Sequence, residues 1–380
     1  MCTPTLPRRF APGFCLAILL FPGAVPVEAD GQRPSTAARR AAHAGAYLER
    51  LQPYGFSGVV LVARGAQVLY RDGHGMADRE NRVPFRASTL FDVGSLTKQF
   101  TAAAVLKLAS EGKLAVTDSI GRFFADVPPG KRGITVHQLL THTAGITDDQ
   151  LTSDYVRVSR DSMIARTMRA KLLAAPGEQH AYSNVGYSVL AAIVEQVTGE
   201  SYEAFLRRAL FRPAGLRETG YTIPVALRAH LATGYRRDVR WGIGADSMAA
   251  TGGDAWNLIG NGGLYSSVGD LQRWTSALLD GRVLPREWVA RMLTPHVLAI
   301  AEYRQRDAPL YYGYGWYVWR PAGRTVVFHD GGNGISYASV RLYRDDNTTL
   351  VYASNTSAYA ERRDLPVEAL NRIMLGDTVA

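Results

Sequence analysis

Two residues that could together break an ester or amide bond stand close in the chain: Ser95 and Lys98, in the stretch Ser95-Leu-Thr-Lys98. This stretch follows a glycine and opens an apolar segment that runs to Ser110. Side chains three residues apart share one face of a helix, so the lysine amine could take the proton of the serine hydroxyl. The N-terminal end of the helix would also favour negative charge beside that hydroxyl. The pattern therefore predicts a nucleophile with its own base.

The four-residue pattern is not specific by itself, because Ser110-Glu-Gly-Lys113 matches it equally well. That second copy is typical of a helix that ends at a glycine, with a lysine near its negative end. Ser95 could likewise be only a helix N-cap, with Lys98 on a solvated face. The rest of the chain has to decide between these two interpretations.

A phenol and an amide form the second candidate group, Tyr182-Ser-Asn184, directly before an apolar helical segment. A tyrosine beside a lysine ammonium loses its proton more easily and could relay a proton from the serine to a leaving group. The alternative is a buried tyrosine followed by an asparagine N-cap.

A histidine and two glycines form the third candidate group, His329-Asp-Gly331-Gly332, at the end of a predicted strand. Adjacent glycines let the backbone approach a ligand closely, so an amide N–H could face a developing oxyanion. A turn that ends the strand would explain the glycines equally well, although it would not explain the histidine.

The first 29 residues differ from the rest of the 380-residue chain. Two arginines, an apolar run over residues 10–21 and short side chains up to Ala29 predict a secretory signal that is too short to span a membrane. We therefore expect cleavage near Ala29, a linker over residues 30–36 and an exported, soluble mature protein, with the periplasm as its compartment. Both cysteines, Cys2 and Cys15, lie in this leader, which excludes disulfides, thiolate catalysis and Cys-ligated metal from the mature chain.

The formal net charge of +9 comes mostly from scattered arginines. Solvated arginines attracted to anionic cell-envelope polymers explain this charge better than a nucleic-acid-binding face does. We expect neither a nucleic-acid partner nor a membrane span in the mature protein, and the oligomeric state stays open.

Strand-like segments gather at the two ends of the chain, and helical segments lie between them. The predicted strands are residues 58–63, 67–70, 325–328, 337–343 and 349–353, and the predicted helices include 37–51, 185–197, 268–279 with a Ser267 and Asp270 capping box, and 367–374. This order predicts an α+β fold in which N- and C-terminal strands share one antiparallel sheet, beside a helical subdomain. We expect one domain over residues 37–380, with a sheet part at about 37–90 and 310–380 and a helical part at about 91–309. Residues 234–263 are predicted to be a long irregular loop.

The three candidate groups, in this order, resemble the three motifs of the serine β-lactamase and penicillin-binding-protein superfamily, specifically its class C-like branch. The resemblance runs from about Gly55 to Asn355 and includes four further stretches: Leu139-Leu-Thr-His-Thr-Ala-Gly-Ile146, Leu210-Phe-Arg-Pro-Ala-Gly-Leu216, Gly262-Gly-Leu-Tyr-Ser-Ser267 and Gly313-Tyr-Gly-Trp316. It implies a β-lactamase/transpeptidase-like fold and acyl transfer through a covalent seryl intermediate.

The resemblance also implies a role for each matching residue. Ser95 would be the nucleophile, while Lys98 and Tyr182 would share the work of general base and acid. Asn184 would hold Lys98 and the acyl side chain of the substrate. The N–H groups of Ser95 and Gly332 would form the oxyanion hole, and His329 and Gly331 would border the site on the sheet side. No metal or organic cofactor is implied, and we expect a structural role for His142.

One departure from the family pattern bears on the substrate. The third motif usually begins with a lysine that helps to hold a substrate carboxylate, and this chain has His329 there. A histidine with an ordinary pKa near ~6.5 is largely neutral at pH 7. Relatives with histidine at this position look like esterases, D-aminopeptidases and carboxypeptidase-like proteins. An ester or a D-amino-acid amide is therefore favoured over a penicillin, as a small-molecule or short-peptide substrate that peptidoglycan could supply.

Two other functions stay open. A conventional β-lactamase would share the fold and the acylation step, but it needs a well-placed water for deacylation. A non-catalytic envelope protein would bind peptidoglycan-like peptides with an inherited fold. The aromatic residues of segment 311–319 could line an apolar acyl pocket, although core packing is the favoured explanation, and alternation along a strand lets at most half of them face one site.

Overall fold

The computed structural model describes residues 35–148, 153–236, 239–301, 308–356 and 366–377, together with Val379. The predicted signal peptide and residues 30–34 of the predicted linker lie outside the described residues. All elements named below belong to the unit Ser35–Ala380. No helix in this described part has the length and apolar character that crossing a membrane requires.

The strands and helices have the following bounds. The strands are β1 (Gly58–Arg64), β2 (Gln67–His74), β3 (Met76–Asp78), β4 (Val83–Pro84), β5 (Phe91–Asp92), β6 (Gly234–Arg236), β7 (Val239–Gly242), β8 (Tyr265–Ser266), β9 (Val297–Ile300), β10 (Leu310–Tyr312), β11 (Tyr317–Trp319), β12 (Val326–Gly332), β13 (Tyr337–Tyr343) and β14 (Thr348–Ser354). The helices are α1 (Thr36–Leu51), α2 (Thr97–Ser110), α3 (Pro129–Arg132), α4 (Val136–Leu140), α5 (Arg160–Arg169), α6 (Asn184–Thr198), α7 (Tyr202–Leu206), α8 (Arg212–Ala214), α9 (Gly244–Ala250), α10 (Val268–Leu279), α11 (Arg286–Met292) and α12 (Pro366–Leu375).

Strands from the two ends of the chain form one antiparallel sheet, in the order β2-β1-β14-β13-β12-β11-β10-β9. Strand β1 pairs directly with β14, and Gly58 lies opposite Ser354 while Arg64 lies opposite Thr348. The predicted fold class is therefore confirmed. Because β1, β13 and β14 are covered on both faces, they are buried along almost their whole length.

Each face of the sheet packs against different helices. Val60 and Val62 of β1 share a core with Leu48 of α1 and Leu370 of α12. Their neighbours Val59 and Leu61 point to the opposite face and join the larger core of the helical part. Helix α2 lies inside that larger core, and every residue from Thr97 to Leu106 is buried. The N-terminus of α2, where Ser95 stands, is therefore held between the sheet and the other helices.

The prediction of an irregular loop over residues 234–263 is partly wrong. This segment begins with the hairpin β6–β7 and continues into α9. The hairpin is ordered by tertiary contacts, because the buried Tyr235 accepts a hydrogen bond from the Arg79 N–H and donates one to Glu80. The sheet also takes in β9, which precedes the predicted start of its C-terminal part at about residue 310. The β6–β7 hairpin and strand β9 are too short to be predicted from periodicity.

The predicted capping box at the start of α10 is only half formed. The Ser267 hydroxyl accepts a hydrogen bond from the Asp270 N–H, at 3.2 Å. The Asp270 carboxylate does not return to Ser267 but accepts the N–H groups of Arg217 and Glu218, at 3.0 and 2.7 Å. It also pairs with Arg273. Asp270 therefore ties α10 to the preceding chain, because two distant N–H donors compete for its carboxylate.

Candidate active site

Ser95 lies in a tight turn, Gly94–Leu96, that leads into α2 and touches the end of β12. Gly94 has φ +51, and a Cβ atom there would lie 2.7 Å from the Gly332 nitrogen. A Cβ on Gly331 would lie 2.0 Å from the Val93 carbonyl and 2.8 Å from the Ser95 nitrogen. Only glycines allow this backbone-to-backbone approach. They bring the N–H groups of the two residues predicted to form an oxyanion hole, Ser95 and Gly332, to the same place.

The Lys98 amine is fully buried and points at the Ser95 hydroxyl. Its Nζ atom lies 3.1 Å from Ser95 Oγ, 2.8 Å from Asn184 Oδ1 and 2.9 Å from the Asn261 carbonyl oxygen. Burial lowers the pKa of Lys98 to about 7, although the charges of Asp148 and Asp154 partly oppose this shift. A large fraction of the amine is therefore uncharged at neutral pH and able to accept a proton.

The Tyr182 side chain lines the same cleft as Ser95, and its ring centre lies 4.8 Å from Lys98 Nζ. The residue keeps 37% of its surface open to the cleft. Burial of the hydroxyl, followed by the neighbouring Tyr317, raises the pKa of Tyr182 well above its ordinary value. The expectation that a nearby lysine makes this phenol more acidic is therefore wrong, because desolvation outweighs the attraction of the amine. Tyr182 is a neutral proton donor and acceptor.

The orientation of the Asn184 side chain is set by a residue that the sequence did not single out, Asp148. Its carboxylate accepts hydrogen bonds from the N–H groups of Asn184 and Val185, from the Ser183 hydroxyl and from Asn184 Nδ2, all at 2.9 to 3.0 Å. Because Nδ2 is taken by Asp148, Oδ1 of Asn184 must face Lys98. Asp148 stands 36 residues before Asn184 in the chain, so no local pattern indicates the contact.

Replacement of Asp148 by asparagine should change both the geometry and the pH dependence of the site. An asparagine side chain has one acceptor oxygen, whereas the carboxylate has two, so the Asn184 amide loses its fixed orientation. We expect kcat/KM to fall by about 10²-fold as a result. The lost negative charge also removes an effect that raises the pKa of Lys98, so the acid limb of the pH–rate profile should move to lower pH.

The measurement is the pH profile of ester hydrolysis for this variant, compared with the wild-type protein. Asp161→Asn is the matched control, because the Asp161 side chain is 86% exposed and pairs only with Arg160 among the contacts described. An acid limb that stays at the wild-type position would contradict the role assigned to the Asp148 charge.

His329 is buried beside the site and carries no charge. Its Nδ1 lies 2.6 Å from the Asp330 carbonyl oxygen, which can only accept, so Nδ1 carries the proton and donates it. In the neutral ring Nε2 is then unprotonated, and it accepts a hydrogen bond from the Tyr312 hydroxyl at 3.1 Å. Burial, followed by the nearby Lys98, lowers the pKa of His329 to about 4. The Asp330 side chain pairs instead with Arg341 and Ser339. The third motif therefore presents a neutral ring to the site.

A cleft of about 550 Å³ opens over Ser95. Among the described residues it is lined by Ser95, Tyr182, Ile300, Leu310, Tyr317, Phe328, His329, Asp330, Gly332, Asn333 and Gly334. Of the aromatic residues in segment 311–319, Tyr317 faces this cleft, whereas Tyr314, Trp316 and Trp319 are buried in the cores. Core packing therefore explains Tyr314, Trp316 and Trp319, while an acyl-binding role stays a prediction for Tyr317.

His142 lies behind Tyr182 rather than in the cleft. It is 2% exposed, its Nδ1 accepts the Ser183 N–H at 3.1 Å, and its ring packs on Tyr182 with 4.3 Å between centres. Within the described residues, no group of three or more His, Cys, Asp or Glu side chains is arranged to hold a metal ion. The chemistry that this site offers is nucleophilic attack by a serine with an amine base and a phenol.

The comparisons with known proteins agree with this geometry. The family model described as "Beta-lactamase" matches residues 44–371. Penicillin-binding protein 4* of Bacillus subtilis (strain 168) is 30% identical over 338 residues, which cover 84% of this chain and 73% of that protein. Two other curated relatives are matched over a smaller share of their length. These are the putative penicillin-binding protein PbpX of Bacillus subtilis (strain 168), matched over 60% of its length at 31% identity, and the protein flp of Staphylococcus aureus (strain COL), matched over 59% at 27% identity.

Two solved structures share the fold. The octameric penicillin-binding protein homologue from Pyrococcus abyssi superposes with a TM-score of 0.75 and 24% identity, over 89% of this chain and 78% of that one. The D-amino acid amidase from Ochrobactrum anthropi SV3, complexed with D-phenylalanine, superposes with a TM-score of 0.75 and 21% identity, over 89% and 98%.

Proposed function

Since this chain belongs to the β-lactamase family of penicillin-binding-protein-like serine hydrolases, we propose that it hydrolyses an ester or amide through an acyl intermediate on Ser95. The observation that carries the proposal is the 3.1 Å contact between the buried Lys98 amine and Ser95 Oγ. A serine hydroxyl is a weak nucleophile until a base removes its proton. A lysine with a pKa of about 7 is such a base at neutral pH.

In the acylation step, neutral Lys98 takes the proton of Ser95 while Oγ attacks the substrate carbonyl carbon. The negative charge that develops on the carbonyl oxygen is stabilised by the N–H groups of Ser95 and Gly332. Tyr182 passes its proton to the leaving alcohol or amine and regains one from the Lys98 ammonium. Water then attacks the acyl-serine, and the same groups transfer its proton back to Ser95 Oγ.

The neutral His329 and the apolar side of the cleft support an uncharged acyl group as substrate. Ile300, Leu310, Tyr317 and Phe328 offer an apolar wall, whereas a fixed positive charge is missing from the described residues that line the cleft. We favour a neutral ester or a D-amino-acid amide as the substrate. We also propose that the protein belongs to the class C-like branch of its family. The fold shared with a D-amino acid amidase is compatible with this choice.

A carboxylate-bearing substrate, such as a penicillin, is the second candidate. Arg236 supports it, because its Nη2 atom lies 3.6 Å from the position that a Cβ on Gly334 would occupy, at the rim of the cleft. A guanidinium there could bind a carboxylate that passes over the rim. This candidate corresponds to the conventional β-lactamase.

The test compares kcat/KM for a short-chain nitrophenyl ester, D-phenylalanine amide, L-phenylalanine amide and a chromogenic penicillin or cephalosporin. We expect the best neutral substrate to exceed the β-lactam by about 10²-fold or more, the loss expected when a charged partner is missing. A β-lactam rate that matches the best ester rate, and that falls in Arg236→Ala, would select the second candidate. If a fluorophosphonate leaves no mass adduct on the protein, a non-catalytic binding function replaces both.

A further inference from the structure

A buried carboxylate, Asp92, lies between the Ser95 turn and the end of β12. Asp92 belongs to β5 and lies opposite Tyr265 of β8. Its side chain is buried, and the residue is 4% exposed. Asp92 touches neither Ser95 Oγ nor Lys98 in any contact described above, so the acyl-transfer steps do not use it. A buried charge is costly unless hydrogen bonds satisfy it, so its partners indicate its role.

The two carboxylate oxygens of Asp92 accept hydrogen bonds from two different segments, the Ser95 turn and the turn after β12. Oδ1 accepts the Gly94 N–H at 2.8 Å, and Oδ2 accepts the Asn333 side-chain Nδ2 at 2.7 Å. Gly94 directly precedes Ser95, and Asn333 directly follows Gly332. Asp92 therefore bridges the neighbours of the two residues whose N–H groups would form the oxyanion hole.

The orientation of the Asn333 amide follows from its other contacts. Its Oδ1 accepts the N–H groups of Ile335 and Ser336, at 3.1 and 3.0 Å, so Nδ2 must face Asp92. The Ser336 hydroxyl makes a longer contact, 3.4 Å, with the Asp92 carbonyl oxygen. The turn after β12 is thus closed on itself and attached to Asp92 through the same side chain.

We propose that Asp92 is a positioning residue that holds the Ser95 and Gly332 N–H groups at the separation an oxyanion requires. The proposal rests on the function proposed above, because it assigns a purpose to a backbone distance in that site. Gly94 and Gly331 allow the two segments to touch, and the Asp92 bridge keeps them there.

The bridge needs an ionised carboxylate, because Gly94 and Asn333 both donate to it, and the neighbouring Tyr155 hydroxyl favours the same ionised form. Burial raises the pKa of Asp92 to about 6, against the opposing effect of the Gly94 N–H, and the charge of Asp154 adds to the rise. The carboxylate is therefore mostly ionised at pH 7. The alternative is that Asp92 stabilises the turn without any effect on the oxyanion hole.

Exchanging the two side chains separates these alternatives. In Asp92→Asn, the new amide cannot accept from both Gly94 and Asn333, and in Asn333→Asp two carboxylates face each other. In the double variant, the amide introduced at position 92 would accept from Gly94 and donate to the carboxylate introduced at position 333. The second oxygen of that carboxylate would still accept the Ile335 and Ser336 N–H groups. The hydrogen bonds are thus restored with the donor and acceptor reversed.

The first readout is activity at pH 7.5, measured as the rate of labelling by a fluorophosphonate and as the kcat of ester hydrolysis. Both rates are divided by the concentration of active sites, which is determined by titration. We expect each single variant to lose about 10²-fold in kcat with a much smaller change in KM, and the double variant to recover most of the loss. Asp280→Asn, whose carboxylate is 63% exposed, should behave as the wild-type protein. Single variants that are less stable but fully active per titrated site would overturn the proposal.

The second readout does not depend on activity. Amide hydrogen exchange of peptides covering residues 91–95 and 329–334 should become faster in both segments in Asp92→Asn and return to the wild-type rate in the double variant. Faster exchange in the first segment alone would overturn the bridge. If wild-type protein is not labelled by the phosphonate, the proposed function fails, while the exchange result still decides whether Asp92 joins the two segments.

Discussion

Ser95→Ala should abolish covalent labelling by a fluorophosphonate and lower ester or amide turnover by at least about 10³-fold. The variant lacks the hydroxyl oxygen that lies 3.1 Å from Lys98 Nζ and that shares the cleft with Tyr182. Binding and the oxyanion N–H groups would remain, so residual turnover above the uncatalysed rate is expected. The measurement is intact mass after exposure to the phosphonate, together with initial rates on the best substrate.

The chain supplies its own control for this prediction. Ser110 belongs to the second Ser-x-x-Lys pattern and lies at the other end of α2, where its hydroxyl donates to the Lys107 carbonyl at 2.8 Å. Ser110→Ala should therefore leave labelling and turnover unchanged. Equal loss in both variants, or a phosphonate adduct that persists in Ser95→Ala, would show that the nucleophile is another residue.

Lys98→Ala should lower turnover by about 10²- to 10⁴-fold, the range that a positioned general base contributes. In the wild-type protein, the base is the uncharged amine, and the pKa of Lys98 lies at about 7. Because protonation removes the base, activity should be lost as the pH falls through about 7 and reach a plateau above it. Lys98→Arg should be equally inactive, because a guanidinium stays protonated throughout this range.

The measurement is the pH dependence of kcat/KM between about pH 5 and pH 9, a range in which an ordinary lysine with its pKa near ~10.4 would stay charged. Lys113→Ala is the matched control, since Lys113 is exposed and pairs with Glu111. An acid limb near pH 4 to 5 in the wild-type protein would instead indicate a carboxylate base and contradict the role of Lys98.

Several features of the fold could be predicted because they depend on local patterns. The continuous apolar run at 58–63 and the segment 337–343, each bounded by turn residues, indicated strands that are now observed as β1 and β13. Their membership of one antiparallel sheet followed from their position towards the two ends of the chain, and it is confirmed, with β14 lying between them. The β6–β7 hairpin and the real partners of Asp270 were missed, because they are stabilised by residues far away in the sequence. Strand β9 was missed because it is only four residues long.

The chemical types in the site were visible in the sequence: a serine with a lysine three residues on, a tyrosine two residues before an asparagine, and a histidine followed by glycines. The roles that these groups can take were not visible in the sequence. Lys98 obtains its other two partners, Asn184 and Asn261, from 86 and 163 residues away. Asp148 and Asp92, which hold Asn184 and the Ser95 turn, carried no pattern of their own.

The sequence alone determined which functional groups this protein has and the strands and helices that carry them, since helix and strand periodicity depend on neighbours in the chain. Only the tertiary structure decided which of the two Ser-x-x-Lys pairs sits in a cleft and which protonation state each group has. It buries Lys98 beside Ser95, whereas Ser110 and Lys113 lie near the surface. The physical reason is that a pKa depends on desolvation and on nearby charges and hydrogen bonds, and folding brings these together from distant parts of the chain.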